Sequence, residues 1–200
     1  MRGIINVSVV IYNGKTIFHR RYLKTHLNHS NIIGYCNRPF KDVDHMNNSL
    51  VKNWNERVKP DDTIIVDGDF CFKNTPGGKV GEGGLEAAKY WIAQLNGEKI
   101  FVRGNHDKHN SLKTAITGME IVFGGYKMWV VHNPNHYNPD YEINIVGHVH
   151  DFWKIQYAPI TNIYKPRTIL VNVGVDVWDF KPVPANKIID LIFKFKRENI

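Results

Sequence analysis

The chain has 200 residues, 42% hydrophobic and 22% charged, a balance that excludes disorder and suits one domain across 1–200. No apolar run approaches the roughly 18 residues a membrane-crossing helix needs, and "MRGIINVSVVIYNGK" has no small-residue cleavage site, so a cytoplasmic protein without a membrane partner is expected. The formal charge of +7 favours an anionic partner, a phosphate ester or a nucleic acid. Cys36 and Cys71 stand too far apart for a paired metal motif and are too few for a disulfide framework.

In chain order, Ile4 to Tyr12 and "KTIFHRRYL" read as strands, and Asn13-Gly14 between them predicts an N-terminal β-hairpin over 1–23. Met46, Leu50, Trp54 and Val58 recur every four residues, predicting a helix capped by Asp44 and stopped by Pro60. "TIIV" at 63–66 is a short buried strand. "PGGKVGEGG" at 76–84 reads as a flexible loop. Leu85, Ala88, Trp91, Ile92 and Leu95 predict a second helix, ended by Asn96-Gly97. Further strands are expected at Lys99–Val102, Met128–Val131, Ile143–Val146 and Thr168–Val173, with a hairpin at Gly124-Gly125 and a last helix from Ala185 to Lys196. Interspersed strands and helices give an α/β or α+β fold with one mixed sheet or two packed sheets.

What ends each strand carries the chemistry. "TIIV" runs into Asp67-Gly68-Asp69, and "KIFV" into Arg103-Gly104-Asn105-His106-Asp107. "KMWVV" runs into His132, and "INIV" into Gly147-His148-Val149-His150. Ligands in open sheets collect beyond strand ends. The donors gathered there are oxygen and imidazole, a set suited to divalent Mn, Fe, Zn or similar ions rather than to a thiolate zinc site. Two ions about 3.5–4 Å apart clamp a phosphoryl group, so the residues point to metal-assisted phosphoester hydrolysis. His132 and His136 are four apart, but Pro134 intervenes. "GKT" at 14–16 lacks the earlier glycine of a phosphate-binding loop, since Val9 stands there.

The blocks "GDF", "RGNHD", His132, "GHVH" and "NVGVD" together resemble the calcineurin-like metallophosphoesterase superfamily, in particular its small prokaryotic and phage members. The resemblance runs from about residue 24 to the C-terminus. It implies an α+β fold of two packed mixed β-sheets flanked by helices, a four-layer sandwich. It implies one or two divalent ions (Mn, Fe, Zn or Ni, with Mn favoured) held by His26, Asp69, Asn105, His132, His148 and His150. A metal-bound hydroxide would attack phosphorus in line. His106 would protonate the leaving group, with Asp107 orienting it and Arg103 assisting catalysis. Arg38 and His29 would face the substrate, a phosphodiester or phosphomonoester such as a small phosphate ester or nucleotide. "GDFCFKN" disfavours a phosphoprotein, because the protein-phosphatase branch follows Gly-Asp with another aspartate and an Arg-Gly.

The departure is in the first block. Where the superfamily has Asp-x-His, this chain has Lys24-Thr25-His26. At 4 Å and an effective dielectric near 20, the added charge repels each unit charge of an ion by about 4 kcal/mol. Two functions are therefore expected to compete: a phosphoesterase impaired at one metal site, or a degenerate fold that binds phosphate, nucleotide or nucleic acid without turnover.

Overall fold

The computed structural model describes residues 6–8, 20–72, 88–107, 112, 114–160 and 167–199, which build two mixed sheets. The smaller sheet orders β10 (Val183–Pro184), β2 (Arg20–Leu23), β3 (Thr63–Asp67) and β4 (Glu98–Val102). Here β2, β3 and β4 are parallel, and β10 closes the edge antiparallel. The larger sheet orders β1 (Asn6–Ser8), β5 (Gly118–Phe123), β6 (Tyr126–Val131), β7 (Ile143–Val146), β9 (Ile169–Asn172) and β8 (Ile155–Tyr157). Its central strands β6, β7 and β9 are parallel.

One core fills the space between the sheets. Tyr22 and Ile65 of the smaller sheet cluster with Met128, Val130, Ile145 and Val171 of the larger one, and α4 (Ala185–Glu198) adds Ile188 and Ile192. On its other face the smaller sheet packs Ile64 and Val66 against α1 (Asn31–Tyr35), α2 (Val43–Arg57) and α3 (Ala88–Gln94), through Ile32, Met46, Leu50, Trp54 and Trp91. The other face of the larger sheet carries Val131, Val146 and Leu170 beneath Trp129, Tyr137 and Trp153. Strands covered on both faces need unbroken apolar runs, which is why "TIIV", "INIV" and "ILVN" do not alternate.

The helix expected from Met46, Leu50, Trp54 and Val58 forms over Val43–Arg57, but Asp42 rather than Asp44 caps it. Asp42 has extended backbone and its carboxylate accepts the His45 N–H at 2.7 Å, whereas Asp44 lies in the first turn, beside the positive end of the dipole. The Gly124-Gly125 hairpin joins β5 to β6 with φ of 58° and 82°, the positive pair a two-residue turn requires. The last helix continues through "FKFK", because Ile188 and Ile192 anchor one helical face in the core.

Most of the expected N-terminal hairpin lies outside the described residues. Asn13-Gly14 lies outside the described residues, but the strands on either side of it join different sheets. β1 pairs with β5, and β2 lies between β3 and β10. A central strand bonded on both edges, burying Tyr22 completely, gains more than one arm of a two-stranded ribbon. Leu85 and the 76–84 loop also fall outside the described residues.

Candidate metal centre

Six parallel strands aim their C-terminal ends at one place. β2 leads to Lys24 and His26, β3 to Asp67 and Asp69, and β4 to the 103–107 loop. From the larger sheet, β6 leads to His132, β7 to His148 and His150, and β9 through Gly174 to Asp176. The chain must then turn within one or two residues. His26, Asp69, His148 and His150 do so at φ of 58°, 47°, 64° and 50°, a region non-glycine residues seldom occupy. Strained backbone of this kind persists where its surroundings over-determine it, as functional sites do.

The surroundings can be named. His26 donates its N–H to the Asp69 carbonyl at 3.0 Å. Asn28 and Asn47 bond each other at 3.0 and 2.9 Å, tying the His26 loop to α2. Fully buried Asn172 donates to the carbonyls of His150 and Trp153, both at 2.7 Å, and accepts the Gly174 N–H at 2.8 Å. Gly68 and Gly104 are required by close approach: a Cβ on Gly68 would strike the His132 ring and Gly104, and one on Gly104 would strike Asp69.

At the centre lie Asp69, Asn105, His132 and His148. The Nδ1 of His132 lies 2.8 Å from the Asp67 carbonyl. A carbonyl only accepts, so Nδ1 carries the proton and Nε2 presents its lone pair. That Nε2 lies 3.0 Å from Asp69 Oδ2 and 3.0 Å from Asn105 Oδ1, which in turn lies 3.0 Å from His148 Nδ1. Ligand atoms of Asp69, His132 and His148 all lie within 4.8 Å of one another. Acceptors converging in this way need a proton or a cation between them. The donor set fits one divalent ion, and the bond to the Asp67 carbonyl is the outer contact that fixes a metal-binding imidazole.

The charges around Asp69 draw a proton, or a cation in its place, into the site. Burial works against charge on Asp69, but the bond and charge of His132, with Lys24 beyond, hold its carboxyl well below the usual range. Burial likewise works against charge on His132, and Asp69 outweighs it, so the imidazole sits above its ordinary value. His148 is pushed down to about 4, by burial first and then by the charges of Lys24 and His132. A neutral His148 is the form a metal requires.

The other expected ligands are arranged differently. His26 is buried beside Asp69, its Nε2 3.6 Å from Oδ2, and neither ring nitrogen has a hydrogen bond. His150 turns towards Asp176, with Nδ1 3.5 Å from Oδ2. Together with Cys36 these form a second group whose ligand atoms lie within 4.8 Å of one another. The same Asp69 oxygen is also approached by Lys24, 1% exposed, with Nζ 3.5 Å from Oδ2.

Arg38 departs from its expected place against substrate. It is buried, and its guanidinium grips Asp176 twice, from Nε at 2.7 Å and Nη2 at 2.9 Å, while Nη1 donates to the Thr25 carbonyl at 3.2 Å. Asp107, expected to orient His106, accepts the main-chain N–H groups of Gly104, Asp69 and Phe70 at 2.7, 3.0 and 3.3 Å. It locks the two ligand-bearing loops to each other. His106 stands half-buried at the rim, its ring 5.8 Å from His26 and 5.0 Å from Phe72. His29 stacks on Phe72 at 4.0 Å, and Arg103 is exposed at the end of β4.

Sequence reading assigned no role to Asp67, Asp176, Cys36 or Asn172. Asp67 is wholly buried, neither of its carboxylate oxygens is hydrogen-bonded, and burial raises its carboxyl to about 7. Its signal was a charge ending an otherwise apolar strand. Asp176 could be suspected from "NVGVD"; nothing in the sequence joins it to Arg38.

No protein-family model matches the chain. It is 38% identical over 177 residues to the uncharacterized protein MJ1445 of Methanocaldococcus jannaschii, covering 86% of this chain and 89% of that one. Among solved structures it is similar to the protein of unknown function AQ665 from Aquifex aeolicus, with 25% identity, a TM-score of 0.59, and 86% and 98% of the two chains covered. A looser likeness, TM-score 0.39 at 14% identity, covers 83% of this chain and 81% of Yfce, a phosphoesterase from E. coli.

Proposed function

We propose that the chain, which belongs to the family of MJ1445, is a calcineurin-like metallophosphoesterase: a metal-dependent phosphoesterase acting on a phosphodiester or phosphomonoester of a small molecule or nucleotide. The observation that carries this reading is the convergence of Asp69 Oδ2, Asn105 Oδ1 and His132 Nε2, with 3.0 Å from the imidazole to each oxygen, at the strand ends.

Asp69, Asn105, His132 and His148 hold the divalent ion, for which Mn²⁺ is the first choice. Bound there, it supplies Lewis acidity towards phosphoryl oxygen and an activated water at neutral pH. The chain's own residues do the rest. The Asp67 carbonyl keeps the His132 proton on Nδ1, so Nε2 stays a ligand. Asp107 fixes the spacing between the Asp69 and Asn105 loops. His106 gives a proton to the leaving-group oxygen. Burial lowers its pKa, Asp69 partly restores it, and an incoming phosphoryl anion adds further support for the imidazolium. Arg103, exposed at the rim, meets the substrate's outer phosphate oxygens.

The test is hydrolysis of aryl phosphate mono- and diesters by purified protein with excess Mn²⁺, with His106→Asn alongside. Turnover that falls by 10²-fold or more in the variant is expected. No turnover, or an unaffected variant, would sink the reading. A second reading, a phosphate or nucleotide binder without turnover, is favoured by the Lys24 amine beside Asp69. It predicts retained nucleotide and unchanged product levels in the same assay.

A further inference from the structure

The site holds a positively charged side chain where a two-metal centre needs an anionic one. The amine of Lys24 and the imidazoles of His26 and His132 all face Asp69 Oδ2, at 3.5, 3.6 and 3.0 Å. Lys24 is not a surface residue caught in passing, since its whole side chain is buried. Gly147 makes room for it: a Cβ there would lie 3.1 Å from Lys24 Cδ and 3.1 Å from Asp67 Oδ2, so the lysine stem and the Asp67 carboxylate share one space beneath the loop. Burial lowers the Lys24 pKa, and the charges of Asp69, Asp67 and Asp176 all act to restore it. The other donors of this half of the site have moved elsewhere: His150 faces Asp176, and Asp176 is held by Arg38.

We propose that the Lys24 ammonium takes the place of one of the two cations of a two-metal phosphoesterase centre, so that the chain holds a single divalent ion, at Asp69, Asn105, His132 and His148. The inference rests on the reading of that set as metal-binding. A second dication, between Asp69 and His26, would need the space that the buried Lys24 amine already fills 3.5 Å from Asp69 Oδ2, and like charges repel there across a buried, weakly screened space. The lysine side chain instead fills this half of the site, and a chelator cannot remove it. His26 becomes a neutral wall of the lysine's chamber rather than a ligand.

The experiment strips the purified chain of metal, reloads it with excess Mn²⁺, removes free ion and counts Mn per chain by mass spectrometry. Low-temperature electron paramagnetic resonance is recorded on the same samples. One Mn per chain with the six-line spectrum of an isolated ion is expected. Lys24→Asp, which restores the carboxylate, is expected to rise towards two with the multiline spectrum of an exchange-coupled pair. Two ions per wild-type chain would overturn the proposal, as would a folded Lys24→Asp protein that still holds one. If that variant does not fold, the wild-type count decides alone. Hydrolysis measured on these samples separates the two readings. One ion without turnover defeats the enzyme and leaves the lysine proposal standing, and two ions with turnover do the reverse.

Discussion

Arg38 and Asp176, 138 positions apart in the chain, are joined by two parallel bonds, Nε to Oδ1 at 2.7 Å and Nη2 to Oδ2 at 2.9 Å. Both side chains are almost fully buried. Removing one partner strands the other as a buried charge, which costs about 3–5 kcal/mol. Arg38→Ala should therefore shift the urea midpoint strongly. Pairing it with Asp176→Ala should recover part of the loss in a double-mutant cycle. A loss below about 1 kcal/mol for Arg38→Ala would mean that the pair is solvated.

Asp107 gathers three main-chain N–H groups from two loops. Hydrogen bonds to a charged acceptor are worth about 1.5–3 kcal/mol each. Asp107→Asn keeps the shape but turns one acceptor oxygen into a donor facing these N–H groups. Thermal unfolding should move down by several degrees, and Mn²⁺ affinity, read by calorimetry, should weaken about 10–100-fold because the ligand loops lose their spacing.

A ligand that binds only the native state at 100 times its Kd stabilises it by about 2.7 kcal/mol. Mn²⁺ should raise the unfolding temperature, and EDTA should reverse the rise. In His132→Ala the rise should vanish, while in Arg103→Ala it should persist, since Arg103 stands exposed at the rim. An unchanged rise in His132→Ala would remove that imidazole from the ion.

Burial first, and then the charge of Asp176, push the Cys36 thiol up to about 12. A free cysteine loses its proton near 8.5. Between about 8.5 and 12 the native chain thus binds the proton that the unfolded chain has lost, so this group makes stability fall as pH rises through that window. Cys36→Ser should flatten the decline. Alkylation of Cys36 in the native protein should still be accelerating above pH 10, where a normal thiol has levelled off.

What the sequence made legible was local, or repeated along the chain. The four-residue spacing of Met46, Leu50, Trp54 and Val58 located α2, and the polar residues closing "TIIV", "KIFV", "KMWVV" and "INIV" are those that converge at the candidate site, because both patterns follow from backbone geometry over a few residues. The pairing of β1 and β2 was not legible. Asn13-Gly14 is a local hairpin signal, and the partners that won, β5, β3 and β10, are set by burial far along the chain. Strands as short as β8 and β10 carry too little pattern to be seen, and they form because a neighbouring edge is waiting. Arg38 illustrates the same limit at the site. Its charge suggested phosphate, and only the fold supplies Asp176 as its partner.

The left-handed turns at His26, Asp69, His148 and His150 carry a further consequence. That backbone region is open to Gly, Asn, Asp and His and nearly closed to Val and Ile. At these four corners the main chain admits a short alphabet, and most of that alphabet can bind a metal. Drift at such a corner would tend to exchange one donor for another. Position 24 precedes the first of these corners and is free of this filter, and it holds a lysine buried 3.5 Å from Asp69.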